Sequence, residues 1–210
     1  MRWLLGALLL LSLPSTAVAK NPWEELMGPG KPQLWNDPAG RFYLDLPIGW
    51  NAYPQGDAPV VLFEKRHPDY GYVARATVQM RGVPPGVKLS HFAVRIGDEM
   101  QQSTHQYRAL SRERRTISGQ PAIIHHFTHQ ERGHTALLNE VEQAIFIVKE
   151  RAFVVTFEMA AGSRPAFQED IDKMLAGFVG RGPGDDGAAT PKPRKKIKEG
   201  EMINPDAIRY

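Results

Sequence analysis

Residues 144–157 read AIFIVKERAFVVTF, and this stretch decides the predicted fold. Two apolar runs, residues 144–148 and 153–157, flank a short charged connection. Both runs are rich in β-branched and aromatic residues, which favour strands, and a short polar connection between two such runs is typical of a hairpin. We therefore predict that both runs are central strands of an antiparallel sheet.

A helix is predicted directly after this hairpin. Its apolar residues recur at spacings of four, three, one and three, at Phe167, Ile171, Met174, Leu175 and Phe178. Residues with this spacing share one face of an α-helix, and that face packs onto the rest of the protein. Gly180 and Pro183 then end the helix.

The chain before the hairpin changes between strand and helix patterns. The predicted elements are strands at residues 42–46, 60–65, 72–81, 107–117 and 122–129, and a helix that starts near Ser90 with Phe92, Ile96 and Met100 on one face. Residues 107–117 are polar and rich in arginine, which is typical of an edge strand, and residues 136–143 fit a helix as well as a strand. Short turns between neighbouring strands favour antiparallel pairing. The predicted class is therefore α+β, with a mainly antiparallel sheet of about six to seven strands flanked by helices.

The first residues have the features of an export signal. Arg2 precedes an apolar run over residues 4–13, which is too short to span a bilayer. Ala17-Val18-Ala19 provides the small residues that signal peptidase requires. We expect the signal to be removed after residue 19, and an uncleaved N-terminal anchor is the alternative.

Cysteine is absent from the chain. Its absence excludes disulfides, a thiolate nucleophile, a Cys-ligated zinc site and a lipid on an N-terminal cysteine. The short signal and the missing lipidation site favour the bacterial periplasm as the location. The expected organisation is a signal peptide (1–19), a Pro/Gly-rich leader (20–40), a folded domain (41–180) and a basic, disordered tail (181–210).

The basic character of the chain is concentrated in this tail. Residues 20–180 hold 18 basic and 18 acidic residues, whereas residues 181–210 hold seven basic and five acidic ones. A neutral domain has no net field that attracts nucleic acid, so no nucleic-acid partner is expected. The tail residues predicted to bind a partner are Lys192, Arg194, Lys195, Lys196, Lys198, Ile203, Ile208 and Tyr210. They could contact an acidic protein or anionic lipids, dock back on the sheet, or serve only as a solubilising end.

Four short motifs follow one another along residues 33–180. They are a strand leading into LPIGW (46–50), a helix start after GVKLS (86–90), the turn ISGQPA (117–122), and the apolar hairpin before a helix that contains phenylalanine. In this order they resemble the PsbP-like superfamily. The resemblance implies an α/β/α sandwich and a non-enzymatic accessory, assembly or chaperone-like role, and it supplies no catalytic residues. The leader and the tail differ from those of photosynthetic members, so no photosystem role is expected.

Histidine forms the one cluster in the sequence that suggests chemistry. On a strand, His125 and His129 share a face and His126 takes the other. His129 and His134 flank a short turn, so they could face each other and hold Cu(II), Ni(II) or Zn(II), with Glu131 as a third ligand. The alternative is a set of polar residues around an exposed turn, and no cofactor is expected.

No motif of a known catalytic class is present. The chain lacks Gly-x-Ser-x-Gly, Ser-x-x-Lys, His-Glu-x-x-His and a glycine-rich phosphate loop. We therefore expect a non-catalytic accessory or assembly protein that binds a protein partner in the cell envelope. The alternatives are a periplasmic metal-binding protein, an inhibitor or immunity-type binding protein, and a hydrolase whose site has no sequence signature.

Overall fold

The computed structural model describes residues 32–55, 59–67, 71, 73–130 and 138–186. Within these residues the elements are β1 (Gln33–Asn36), β2 (Phe42–Leu46), β3 (Asn51–Pro54), β4 (Val61–Arg66), β5 (Val73–Gly82), α1 (Leu89–Ser103), β6 (His105–Ile117), β7 (Gln120–Gln130), β8 (Leu138–Val148), β9 (Arg151–Ala160), α2 (Arg164–Gly177) and β10 (Val179–Gly180). The predicted signal peptide lies outside the described residues, as does the tail beyond residue 186.

Seven strands form one antiparallel sheet in the order β3-β4-β5-β9-β8-β7-β6. β8 and β9 lie side by side in this sheet, with Ile145 opposite Val154 and Val148 opposite Arg151. The predicted hairpin and the α+β class are therefore confirmed. Residues 138–143, which fitted a helix as well as a strand, belong to β8 because they pair with β7 on one side and β9 on the other.

A second, three-stranded sheet has the order β1-β2-β10. The sequence pattern predicted only β2 of these strands and assigned β1 to the leader. β1 joins the domain because Trp35 packs against Phe42 and Phe63, with ring centroids 5.2 Å apart in both pairs. Strands as short as β1, β3 and β10 carry too few side chains to show an alternating pattern.

The two helices lie on opposite faces of the seven-stranded sheet. α2 and the small sheet cover one face and bury a large apolar cluster that includes Phe42 and Ile171. α1 covers part of the other face over a smaller cluster, through Phe92 and Ile96. The layers are therefore α/β/α, as the resemblance implied. Neither helix in the described part of the chain is long and apolar enough to cross a membrane.

Phe153 of β9 is the centre of an aromatic cluster that joins the two sheets. Its ring centroid lies 6.2 Å from that of Phe42 on β2 and 5.4 Å from that of Phe146 on β8. A fourth ring, Phe178, lies 5.5 Å away and directly follows α2. All four side chains are 1 % exposed or less. Burial of one such ring contributes about 1.5–3 kcal/mol, so this cluster is a major part of the domain's stability.

Gly180 of β10 has no side chain, and the ring of Phe153 occupies the space that a side chain would need. A Cβ atom at this position would lie 2.5 Å from Cε2 of Phe153. Gly180 also pairs with Phe42 in the small sheet, so its backbone cannot move away without loss of that pairing. A side chain at residue 180 therefore overpacks the core.

The chain after β10 stays bound to the domain as far as residue 186. Lys149 Nζ lies 2.7 Å from a carboxylate oxygen of Asp185. The guanidinium of Arg151 donates to both carboxylate oxygens of Asp186, at 2.5 and 2.9 Å. Residues 181–186, which the sequence analysis placed in the tail, therefore contact the β8–β9 hairpin through ion pairs.

His125 of β7 is buried beneath α1. It is 3 % exposed, and α1 approaches it at Gly97, where a Cβ atom would lie 3.5 Å from Cε1 of His125 and 3.1 Å from Nη2 of Arg112. Burial, together with the positive charge of the nearby Arg112, lowers the pKa of His125 to about 4. The folded protein therefore keeps this imidazole neutral at neutral pH.

Replacing Gly180 with alanine is expected to lower the free energy of unfolding by about 1–3 kcal/mol, the usual cost of overpacking a core. Urea unfolding followed by tryptophan fluorescence measures this change. Gly82→Ala is the matched control, because a Cβ atom at residue 82 meets nothing within 4 Å. Both substitutions restrict the unfolded chain in the same way. Equal stability of the two variants would contradict the packing described for Phe153.

The free energy of unfolding is expected to fall as the pH drops from about 6.5 to about 4. The folded-state pKa of His125 is lowered to about 4 from 6.5, so over this interval the unfolded chain binds the proton and the folded protein does not. The full shift corresponds to an upper limit of roughly 3 kcal/mol. Urea unfolding at several pH values measures the slope. His125→Gln should flatten it, and His91→Gln, an exposed histidine of α1, is the control. An unchanged slope in His125→Gln would show that other groups cause it.

Candidate interaction edge

β6 is an outer strand of the seven-stranded sheet, and among the described residues it pairs on one side only, with β7. Its 13 residues run from His105 to Ile117, and only Ile117 is buried. The polar, arginine-rich pattern of this segment predicted an edge strand, and the topology confirms it. Unpaired backbone N–H and C=O groups along such an edge form a template for another strand.

The opposite edge of the same sheet is much shorter. β3 has four residues and ends at Pro54. Short edge strands and prolines hinder the addition of a further strand. β6 has neither protection, so it offers the longest open edge within the described residues.

The pairing of β6 with β7 divides the strand into two parts. The register shifts between His105 and Arg108 and again between Ala109 and Ser111. From Ser111 to Ile117 all seven residues pair with β7 in continuous register. We call residues 111–117 the regular edge.

Arginine side chains dominate the charge of β6. Arg112 and Arg114 lie opposite His125 and Ile123 of β7, which face α1, so the two arginines lie on the α1 side of the sheet. In the part of the chain that the structure describes, neither forms an ion pair, and Arg108 forms none either. Within the described residues, β6 therefore carries three positive charges without an ion-pair partner, although residues 20–180 together have no net charge.

The α2 side of the regular edge is already neutralised. Nη2 of Arg115 lies 2.7 Å from Oε1 of Glu113, and Nη1 lies 3.6 Å from Oδ1 of Asp172 on α2. Both Arg115 and Glu113 pair with β7 residues that face the α2 layer. The uncompensated charge of the regular edge is therefore on the α1 side alone.

A cavity of about 340 Å³ lies beside the bulged part of β6. Its walls are formed by Tyr107, Ala109, Leu110, Ser111, Arg112, His125 and His126. Leu110 is 49 % exposed, and Tyr107 packs on Phe127 with ring centroids 5.0 Å apart. The cavity thus places an exposed apolar side chain next to the unpaired charge of Arg112.

A buried carboxylate ties β7 and β8 to the start of α2. Glu142 of β8 is 0 % exposed and accepts a hydrogen bond from Nη2 of Arg164 at 2.7 Å. Its Oε2 also lies 3.2 Å from Nε2 of His126. Burial opposes ionisation of Glu142, but the His126 hydrogen bond and the Arg164 charge outweigh it and lower the pKa of this carboxyl. Glu142 is therefore a paired anion at neutral pH.

Ser111 connects this buried group to the regular edge. Its Oγ lies 3.1 Å from Nδ1 of His126. A hydroxyl, an imidazole and a carboxylate in line is the arrangement that activates serine nucleophiles. Here, however, Nη2 of Arg164 lies 3.3 Å from the same Nε2 of His126 that faces Glu142. Arg164 also binds Glu142, so this carboxylate is shared between an arginine and His126 and is not a dedicated partner that orients the imidazole toward Ser111.

The residues of the predicted metal site are only partly described. Nε2 of His129 lies 3.1 Å from Oε1 of Glu158, which also accepts a hydrogen bond from Nδ2 of Asn139 at 2.7 Å. The His129 hydrogen bond lowers the pKa of Glu158. No group of three His, Cys, Asp or Glu side chains among the described residues could hold a metal ion. His134 and Glu131 lie outside those residues, so the metal site remains a prediction.

The structure separates the other predicted residues into three groups. His125 and His126 lie on opposite faces of β7, as the strand period predicted. The tail candidates lie outside the described residues, and they are Lys192, Arg194, Lys195, Lys196, Lys198, Ile203, Ile208 and Tyr210. The sequence pattern did not predict Arg112 and Arg114 as site residues. The signal for them was two arginines at alternating positions of an expected edge strand.

No protein-family model and no curated protein sequence matches the chain. Solved structures with a similar fold include cyanobacterial PsbP (CyanoP) from Synechocystis sp. PCC 6803, with 14 % identity, a TM-score of 0.50, and coverage of 73 % of this chain and 95 % of that one. LpqN of Mycobacterium tuberculosis, described as involved in cell envelope biogenesis, has 11 % identity and a TM-score of 0.53, and the match covers 71 % of this chain and 90 % of LpqN. The Ran-binding protein Mog1p of Saccharomyces cerevisiae has 11 % identity and a TM-score of 0.50, and the match covers 71 % of this chain and 95 % of Mog1p.

These similarities extend over nearly the full length of each solved structure and about seven tenths of this chain. At identities this low they concern the fold alone. The chain has the PsbP-like fold that its sequence motifs implied.

Proposed function

We propose that this chain is an exported, non-catalytic accessory protein that binds a protein partner in the cell envelope through β6. The observation that carries the proposal is a 13-residue edge strand with three arginines that have no ion-pair partner in the described part of the chain. Backbone groups along the edge and uncompensated charge beside it are both features that a binding partner can satisfy.

Proteins of the same fold support a binding or accessory role. LpqN is described as involved in cell envelope biogenesis, and Mog1p is described as a Ran-binding protein. Export agrees with the positively charged start, the apolar run and the small residues at the expected cleavage site. The bacterial periplasm is the location that we propose.

The non-catalytic part of the proposal is supported by the position of Arg164. A serine–histidine pair is nucleophilic when the histidine accepts the serine proton. The guanidinium of Arg164 lies within hydrogen-bond distance of both His126 and Glu142, so the carboxylate that would orient the imidazole is already bound to an arginine. The cluster instead holds the first turn of α2 against β7 and β8.

The described chain ends, at Asp186, on the same end of the sheet as the regular edge. Asp186, the last described residue, binds Arg151 at the start of β9, which is at the same end of the sheet as Ile117. β9 and β6 are three strand spacings apart, or about 14 Å. A partner on the regular edge would therefore also lie within reach of the basic residues that follow residue 186.

Reversing the two α1-side charges is expected to weaken partner binding. The mature protein would be used to capture cross-linked partners from a native envelope extract, and the purified partner would then be titrated against Arg112→Glu/Arg114→Glu. Loss of charge complementarity at an interface should reduce the affinity by about tenfold or more. The affinity of a chain that ends at Asp186 gives the contribution of the tail to partner binding. This truncation keeps the contacts of residues 181–186.

The matched control is Arg66→Glu/Lys88→Glu, which changes the net charge equally at exposed positions on β4 and directly before α1. This control should bind the partner as the unmodified protein does. The proposal is wrong if no specific partner is captured, or if both double variants bind it equally well.

Ser111 is expected to remain unlabelled by a fluorophosphonate, a reagent that modifies activated serines. Arg164 occupies the carboxylate of Glu142 and also lies beside Nε2 of His126, so Glu142 is not free to orient the imidazole as in a catalytic triad, and Ser111 should react no faster than an ordinary serine. Intact-mass spectrometry of the folded protein measures the labelling, and Ser111→Ala is the control. Stoichiometric labelling that disappears in Ser111→Ala would favour the hydrolase alternative.

A further inference from the structure

We propose that the regular edge binds an extended acidic segment of the partner as an additional β-strand, with two acidic side chains at alternating positions opposite Arg112 and Arg114. This inference rests on the proposed function and adds the chemistry of the partner. Backbone pairing would supply affinity, and the two carboxylates would set the register.

The backbone of the regular edge is suited to pairing on its free side. All seven residues from Ser111 to Ile117 keep continuous register with β7, so this part of the strand has no bulge to interrupt a neighbour. In an antiparallel pair, alternate residues direct their N–H and C=O groups to opposite sides. About half of the regular edge therefore presents both groups to a new strand.

The spacing of the two unpaired arginines defines the charge pattern of that strand. Arg112 and Arg114 are two residues apart and lie on the same face of the sheet, separated by about 7 Å along the strand. Side chains directly opposite each other on neighbouring strands have Cβ atoms about 5 Å apart. Two acidic residues separated by one residue would therefore place a carboxylate beside each guanidinium.

The residue between the two acids has a different environment. It would lie on the α2 side, beside Glu113 and Arg115, which already neutralise each other at 2.7 Å. An added charge at that position would gain little. The edge therefore selects an acid-x-acid pattern over two adjacent acids.

A second copy of this chain is a poor occupant of the regular edge. Two β6 strands that pair with each other bring arginine-rich segments together, and like charges directly opposite each other are destabilising. Residues 20–180 together have no net charge, so this repulsion is local to β6. The same charges that oppose self-association favour an acidic strand.

The basic tail fits less well than an acidic segment from another protein. Glu199-Gly200-Glu201 has the acid-x-acid spacing, but the residues directly before it, residues 192–198, include five lysines and arginines. This segment would bring positive charge to an edge that already has unpaired positive charge. Competition from the tail is nevertheless a distinct outcome of the experiment.

The experiment measures the binding of a labelled synthetic peptide, Thr-Val-Thr-Glu-Val-Glu-Val-Thr, to the mature full-length chain by fluorescence anisotropy. Two matched peptides carry glutamine in place of both glutamates, or the two glutamates in adjacent positions. We expect the alternating acidic peptide to bind about tenfold more tightly than either control, and more weakly as salt is raised.

Charge exchange tests the contact with the two arginines. The variant Arg112→Glu/Arg114→Glu should no longer bind the acidic peptide. It should instead bind the corresponding peptide that has lysine in place of both glutamates. Arg66→Glu/Lys88→Glu should keep the acidic peptide. Circular dichroism of both double variants verifies that they fold, and the exchange of preference is a gain of binding that unfolding cannot produce.

Hydrogen exchange of the backbone distinguishes strand addition from charge attraction alone. Bound peptide should slow the exchange of amide protons within residues 111–117 that point away from β7. Binding without this protection would overturn the strand-addition proposal. If the acidic peptide bound only after removal of residues 187–210, the strand-addition proposal would be overturned as well. The tail, and not a partner, would then be the segment that binds the regular edge. If the captured partner requires Arg112 and Arg114 but no peptide binds, the proposed function stands and this inference fails.

Discussion

The contacts of Phe153 hold the two sheets and α2 in one arrangement. This ring on β9 contacts Phe42 of the small sheet, Phe146 of β8 and Phe178 after α2. The lack of a side chain at Gly180 gives the ring its space. Because the cluster lies on the α2 side of the central strands, both the small sheet and α2 pack on that face of the seven-stranded sheet. The remaining face is covered by α1 only in part, and the sheet keeps its two outer strands free.

The two outer strands differ in what hinders the addition of a further strand to their unpaired backbone groups. β3 is short and ends in proline, so little backbone is available for pairing. β6 is long and depends on bulges and arginines instead. Arginines repel identical copies, but they attract acidic strands, so this form of protection is selective. We therefore propose that the edge of β6 both hinders self-association and binds an acidic strand of a partner.

The buried Glu142 provides the connection between this edge and the body of the protein. Arg164 at the start of α2 and His126 of β7 share its carboxylate, and Ser111 of β6 contacts the other nitrogen of His126. A buried charge of this kind is costly unless it is paired and hydrogen-bonded. Its partners come from α2 and β7, so the position of the regular edge is coupled to the packing of α2.

The central strands, both helices and the edge strand follow from the sequence because their patterns are local: apolar runs, helical spacing and a polar strand are visible within about ten residues. β1 was missed because Trp35 is held by long-range contacts with Phe42 and Phe63, which no local pattern reveals.

The same limit applies to the site. Two alternating arginines, Arg112 and Arg114, are visible in the sequence, but whether each has a partner depends on which distant side chains the fold brings near. Strand order decides that β6 is an outer strand, and the packing of α2 on the sheet decides that Asp172 lies beside Arg115. The sequence does not reveal that Arg112 and Arg114 have no ion-pair partner among the described residues, because pairing between residues far apart in the chain is a property of tertiary packing.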